Sequence, residues 1–410
     1  MLKSVTSRAD AEALDRADPL AHCRDRFILP EGVIYLDGNS LGPVTHKAKA
    51  RVAEAVGTEW AEGLIRSWNT AGWIDLPARV AGKIAPLIGA GAGDIAVGDS
   101  TSVNLFKVLS AALDKAGSGR RAIVSEPGNF PTDLYVAEGI AALKGAELRL
   151  TEDVEAALGD DVAVVMLTEV DYRTGLRHDM AAMTAKIHAA GALALWDLAH
   201  SAGAFAVDLT GSDADFAIGC GYKYLNGGPG APAFLWVAPR HQDAVSPIRG
   251  WFGHAAPFAF ETSYRPAPGI ARFLNGTAPV LSMTALDAAL DAFDGVDLET
   301  IREKSVALTD LMIARVDSRC AEQVSLASPR DGAVRGSQVS FRFADGYAVM
   351  QALIARGVIG DFRAPDILRF GVTPLYTRYV DVYDAVEILA EILFSRGWDR
   401  PEFHRRAAVT

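Results

Sequence analysis

From about residue 60 to residue 239 the chain alternates short apolar runs with stretches whose apolar residues recur every three to four positions. That alternation most constrains the fold, because repeated βα units bury a largely parallel sheet between helices. The spacing predicts strands at Ala122–Ser125, Glu147–Leu150, Val162–Leu167, Ala192–Trp196, Phe216–Gly219 and Phe234–Val237, with amphipathic helices at Thr132–Leu143 and Met180–Ala190. Asp297 reads as the cap of a long helix through "LETIREKSVALTDLMIARV", which leads into "QVSFRF", "ILRFGV" and "VDVYDAVEILAEILF", a strand, a strand and a helix. With 410 residues, too many for one compact core, three parts are expected. Residues 1–50 are an N-terminal segment near the site, 51–296 a large α/β domain, and 297–410 a small C-terminal α+β domain.

The net charge of -11, with lysines and arginines interleaved among acids, argues against a nucleic-acid surface. The opening stretch lacks the apolar core of a signal peptide and no window approaches a membrane span, so a cytoplasmic protein is expected. Three scattered cysteines (Cys23, Cys220, Cys320) form neither a disulfide framework nor a CxxC pair, and the eight histidines have no metal spacing. "GAGAG" at 89–93 follows a helical pattern instead of a strand, so it reads as a helix-ending turn and not a dinucleotide loop. GxxxxGK[ST], GxSxG and HExxH are all missing.

In an open parallel sheet the ligand crevice lies beyond the carboxyl ends of the strands, and four such places carry polar residues. "LALWDLAH" ends a strand at Asp197 and brings His200 three residues later. "DFAIGCGYKYLNGGPG" delivers Lys223, 26 positions after Asp197, into a glycine-rich turn. "VGDSTSVNLFKVLSAAL" opens a helix with Thr101 and Ser102, where free amides and hydroxyls favour a dianion or simply cap the helix. "SEPGNFPTDLY" holds Phe130, able to stack on a flat ring, and Asp133, which serves the pocket or starts the next helix. Singly, each residue has a bland reading: a surface lysine, a helix cap, a turn. Together, lysine and carboxylate suit pyridoxal phosphate, which needs an amine to bond its aldehyde and an acid to keep its ring nitrogen protonated.

These pieces occur in the order of a known family. "YLDGNSLGP", "STSVNLFK", "NFPTD", "WDLAHSAG", "GYKYLNGGPG", "GWFGH" and "RFGVTPLY", spread from Tyr35 to Tyr376, resemble the kynureninases, pyridoxal-phosphate enzymes of the aminotransferase-like fold. The resemblance implies that Lys223 carries the cofactor and moves protons, that Asp197 pairs with the ring nitrogen, and that His200 supports the phenolic oxygen side. It implies Phe130 on the ring face, Tyr222 on the phosphate and as a proton relay, and Thr101, Ser102, Asp133 and Thr168 completing the shell. Trp251 and Thr277 are expected from the neighbouring subunit of a homodimer, and Arg369 on the substrate carboxylate. Ser40 lines the substrate pocket or forms a turn, and Trp68 marks the bacterial type preferring L-kynurenine over its 3-hydroxy form, or packs a core. The implied reaction is hydrolytic Cβ–Cγ cleavage of kynurenine to anthranilate and alanine. An aminotransferase or cysteine desulfurase of the same fold, and a non-catalytic cofactor-binding protein, are the alternatives.

Overall fold

A computed structural model describes residues 5–407, so the outermost ends of the expected 1–50 and 297–410 parts lie outside the described residues. In chain order the helices are α1 (Arg8–Ala17), α2 (His46–Glu54), α3 (Ser67–Thr70), α4 (Leu76–Ile84), α5 (Thr101–Lys115), α6 (Pro131–Lys144), α7 (Met180–Ala189), α8 (Val280–Leu290), α9 (Leu298–Cys320), α10 (Gly346–Ala355) and α11 (Tyr379–Ser395). The strands are β1 (Ile34–Tyr35), β2 (Ile95–Val97), β3 (Ala122–Ser125), β4 (Glu147–Leu150), β5 (Val162–Thr168), β6 (Leu193–Asp197), β7 (Phe216–Gly219), β8 (Phe234–Val237), β9 (Ser325–Leu326), β10 (Gln338–Arg342), β11 (Val358–Ile359), β12 (Asp361–Arg363) and β13 (Ile367–Gly371).

A seven-stranded sheet in the order β2-β8-β7-β6-β5-β3-β4 forms the large layer. Apart from the exposed edge strand β4, its strands lack the alternation of a half-exposed sheet because both faces are covered. Val164 and Met166 of β5 pack with Leu105, Val108 and Ile140 of α5 and α6 on one face. Val165 and Leu167 of the same strand pack with Val80, Ile84, Ile187 and Leu286 of α4, α7 and α8 on the other. The sheet is therefore sandwiched by helices, as the α/β reading expects.

One strand departs from the parallel rule. β8 runs antiparallel to both β7 and β2, because residues 220–233 contain no crossover helix to carry the chain back before it pairs again. That long return loop carries Tyr222 and Lys223 away from the sheet.

A second core gathers α9, α10 and α11 against the small sheet β12-β13-β10-β9, with Leu308, Val339, Phe341, Val349, Leu368 and Leu389 among its buried residues. The N-terminal segment serves both layers. Ala11 of α1 lies in this second core, and β1 pairs with β11. Gly42 instead donates its N–H to the Tyr222 carbonyl at 2.8 Å. The boundary expected at residue 50 falls inside α2, which runs unbroken through it. No helix among the described residues is long and apolar enough to cross a membrane.

The glycines after Lys223 act chiefly on the turn itself. A Cβ on Gly227 would stand 2.6 Å from the Gly221 carbonyl oxygen and 2.8 Å from Leu286 Cδ1, whereas Gly228 and Gly230 take positive φ with open space around them. Gly227→Ala is expected to cost about 2 kcal/mol and to displace the Lys223 turn. Urea and thermal melts check it, and a variant as stable as the parent would refute the packing argument.

Candidate active site

The parallel strands β3, β5, β6 and β7 end on one edge of the sheet, and their following loops surround a cavity of about 610 Å³. Ten expected residues line it: Thr101, Ser102, Phe130, Asp133, Thr168, Asp197, His200, Tyr222, Lys223 and Thr277. At its centre Lys223 Nζ lies 3.0 Å from His200 Nε2.

Asp197, the last residue of β6, is buried, and one carboxylate oxygen accepts the Ala199 N–H at 2.8 Å. Burial raises its pKa, while Lys223, that amide and Asp133 pull the other way. Asp133 sits in the first turn of α6 and is itself buried, with Oδ2 lacking a partner. Burial, reinforced by the Asp197 charge, holds the Asp133 carboxyl well above the usual range, so it keeps its proton. Asp133 thus starts a helix and also faces the pocket.

His200 is buried, and burial followed by the charges of Lys223 and Arg369 pushes its pKa well below the ordinary value, leaving it neutral. Its Nδ1 meets Gln338 Oε1 at 3.1 Å. The Tyr222 ring centre is 5.8 Å from Lys223 Nζ, and burial raises the phenol pKa, so Tyr222 keeps its proton and can donate it to a hydrogen bond. Phe130 presents its ring 5.9 Å from the same nitrogen and meets Tyr172 edge-on at 5.3 Å.

The start of α5 opens onto the cavity. Ser100 caps it, accepting the Val103 N–H at 3.3 Å, which leaves the Thr101 and Ser102 hydroxyls free of that task. Asp99, in the left-handed region with φ 55°, is held by Lys107 Nζ at 2.9 Å and Asn275 Nδ2 at 2.8 Å, fixing the turn. Thr168 Oγ1 donates to Asn129, which ties the loop after β3 to the end of β5.

The remaining expected residues lie elsewhere. Arg369 on β13 is 1% exposed and does not line the cavity. Its guanidinium donates to the Tyr172 carbonyl at 2.6 Å, to Ser40 Oγ at 2.8 Å and to Asp361. Ser40 is thus a partner of Arg369. Trp68 packs edge-on against Trp73 and beside Phe252, and Trp251 packs on Phe252 and Phe258, all outside the cavity of their own chain. Thr277, expected across a subunit boundary, lines the cavity of its own chain.

Sequence reasoning missed Tyr172, Asp99 and Gln338. Tyr172 lies in the loop that follows β5, as Lys223 lies in the loop that follows β7, and that signal was open to use; Gln338 begins a strand of the second core and carries none.

A buried carboxylate pair, an amine on a neutral imidazole, a flanking aromatic ring and the free start of a fifteen-residue helix make a donor set that fits pyridoxal phosphate. A family model for the kynureninase C-terminal domain matches residues 301–389. Kynureninase from Burkholderia pseudomallei (strain 1106a) is 58% identical over 99% of this chain and 100% of its own length. The Pseudomonas fluorescens kynureninase is 55% identical over the same shares.

The chain belongs to the kynureninase family.

As a kynureninase it is a pyridoxal-phosphate-dependent hydrolase that cleaves a carbon–carbon bond. Among solved structures, the cysteine desulfurase of Thermococcus onnurineus matches with a TM-score of 0.77 at 18% identity, over 92% of this chain and 98% of that one. An Escherichia coli cysteine desulfurase gives 0.77 at 20% identity, over 92% and 98%. They share the fold. A desulfurase reading needs a reactive cysteine, yet Cys23, Cys220 and Cys320 are all buried and burial raises each thiol pKa, that of Cys320 to about 11.

Asp37, half-buried beside this kynureninase's Arg369, has its pKa raised from 3.8 to about 6 by burial and the Asp361 charge, against the pull of Ser40 and Arg369. The folded chain keeps this proton to higher pH than the unfolded chain, so the favourable contribution is full at low pH and is lost as pH rises through about 6. Asp37→Asn is expected to stabilise by about 1 kcal/mol at about pH 8 and by much less near pH 4.5. Melting at both pH values checks it; equal differences would refute the assignment.

Proposed function

We propose that this kynureninase acts on L-kynurenine with Lys223 as its cofactor-bearing base, and that the 3.0 Å contact between Lys223 and His200 beside buried Asp197 is the observation that carries this assignment. When bound, pyridoxal phosphate supplies an aldehyde that joins an amino group and a ring that takes up the electron pair of a bond broken beside it. Lys223 holds the cofactor until the substrate amine replaces it, and then its free amine takes the proton from Cα. Asp197, backed by the proton on Asp133, would pair with the ring nitrogen. The start of α5 with Thr101 and Ser102, and the Tyr222 hydroxyl, would hold the phosphate; Phe130 would flank the ring and Thr168 would close its edge.

Arg369 is the group for the substrate carboxylate, its planar fork suited to two parallel hydrogen bonds. Ser40 and Asp361 hold that fork in place. Water adds to the aryl ketone carbon, Cβ–Cγ breaks, the aromatic fragment leaves as anthranilate, Cβ takes a proton, and Lys223 would return a proton to Cα to give alanine. Tyr222 is the proposed proton relay at the ketone.

A homodimer is part of this proposal. Trp68 and Trp251 lie outside their own chain's cavity, which suits residues that complete a partner's site. Val56, Trp60, Leu64 and Ile65 are exposed together along 55–66, an apolar strip suited to a subunit contact. In the same reading Thr277 borders both sites, Trp68 favours kynurenine over 3-hydroxykynurenine, and the enzyme works in the cytoplasm in tryptophan degradation, whose 3-hydroxy branch feeds NAD synthesis.

Purified protein with pyridoxal phosphate and L-kynurenine is expected to release anthranilate and alanine, and Lys223→Ala to lose at least about 10²-fold in kcat. No aromatic product, or full activity without the lysine, refutes the assignment. Trp68→His is expected to raise kcat/KM for 3-hydroxykynurenine relative to kynurenine by about tenfold; an unchanged ratio removes Trp68 from specificity.

A further inference from the structure

Gln338, the first residue of β10, is fully buried and reaches from the second core into the cavity wall. The partners of Nε2 set the direction of its amide, and Asn39 meets the Oε1 end at 3.0 Å. Nε2 faces the carbonyl oxygens of Asp171 at 3.2 Å and Tyr172 at 3.1 Å, and carbonyls only accept. Oε1 therefore faces His200 Nδ1 at 3.1 Å, and a carbonyl oxygen there requires the proton to sit on Nδ1. The other ring nitrogen, Nε2, then carries a lone pair toward Lys223 Nζ. The loop that holds Gln338 is built to fit it, since Gly175, with φ +74°, leaves room where a Cβ would come within 2.9 Å of Gln338 Cγ. Arg369 grips the same Tyr172 carbonyl at 2.6 Å, so the small domain meets the site at both ends of one short loop.

We propose that Gln338 is a positioning residue that locks His200 as the Nδ1–H tautomer and so makes its Nε2 an obligatory acceptor beside Lys223. His200 can then receive a hydrogen bond from the lysine, or from whatever protonated group takes its place, but cannot give one. Being neutral is part of the device: burial and the charges of Lys223, Arg369 and Arg363 keep His200 from taking a second proton, while Asp197 and Asp133 offer their charge and proton to Lys223 and to each other. The tautomer follows from this chain's contacts alone; its catalytic meaning rests on the assignment of Lys223 above.

Two variants separate position from mere packing. Gln338→Leu removes the acceptor, so His200 is free to move its proton to Nε2 and donate toward Lys223. Gln338→Glu keeps an oxygen for Nδ1–H, but it sets its other oxygen against the two carbonyls and adds a negative charge that favours a protonated His200. In cofactor-free protein labelled with ¹⁵N-histidine, the His200 signals, identified by their loss in His200→Phe, are expected to show Nδ1–H in the parent and in Gln338→Glu, and Nε2–H or a mixture in Gln338→Leu. In protein loaded with pyridoxal phosphate, the pH midpoint of the cofactor's visible absorption is expected to fall by about one unit in Gln338→Leu, a tenfold change in proton affinity, and not to fall in Gln338→Glu. An Nδ1–H signal and an unmoved midpoint in a folded Gln338→Leu overturn the proposal. Should that variant fail to fold, Gln338→Glu decides alone, and Nε2–H without Nδ1–H there overturns it. Loss of the Lys223 assignment, read from activity in Lys223→Ala, leaves the tautomer result untouched.

Discussion

A carboxylate at the end of a strand buried on both faces is costly, and the site is arranged around meeting that cost at Asp197. Removing the group from water favours its neutral form, yet the proposed pairing with a ring nitrogen would need the charged one. The Ala199 amide, the Asp133 carboxyl and the Lys223 side chain converge on it from the segments that follow three different strands. Each loop follows a parallel strand of one sheet, so the sheet's strand order is what lets them converge.

The reversal of β8 has a comparable consequence. Had the chain crossed over through a helix after β7, Lys223 would sit at the start of that helix. It instead lies in a wide return loop, closed by Gly227 against Gly221 and by the Gly42 amide from the N-terminal segment. The second core backs this wall from behind: Gln338 meets His200, and Arg369 stands behind Tyr172, bound to Ser40 and Asp361. Arg369 is buried with its donors engaged by the protein, a state in which its fork is aligned in advance.

Cysteine desulfurases share this architecture at 18–20% identity, which shows how little the fold alone says about chemistry. The difference lies in side chains. This chain keeps its three cysteines buried and lines the cavity around the lysine with two tyrosines and a neutral histidine.

Much of the fold was legible because burial patterns are local. Both-face burial made β3, β5 and β7 continuous apolar runs, and Asp297 marked the start of α9 by its side chain alone. The strand-end rule likewise pointed to Asp197, Lys223, Thr101 and Asp133 without any contact being known. The direction of β8 was not legible, since an apolar run has the same pattern in either sense. Nor was the role of Gln338 or the enclosure of Arg369 by Ser40 and Asp361, whose partners lie 138, 329 and 8 residues away. Sequence by itself determined which residues carry usable chemistry and the strand ends they follow, because periodicity and residue type act over a few positions. Only the tertiary structure decided which nitrogen of His200 bears the proton, because hydrogen-bond direction depends on groups brought together from distant parts of the chain.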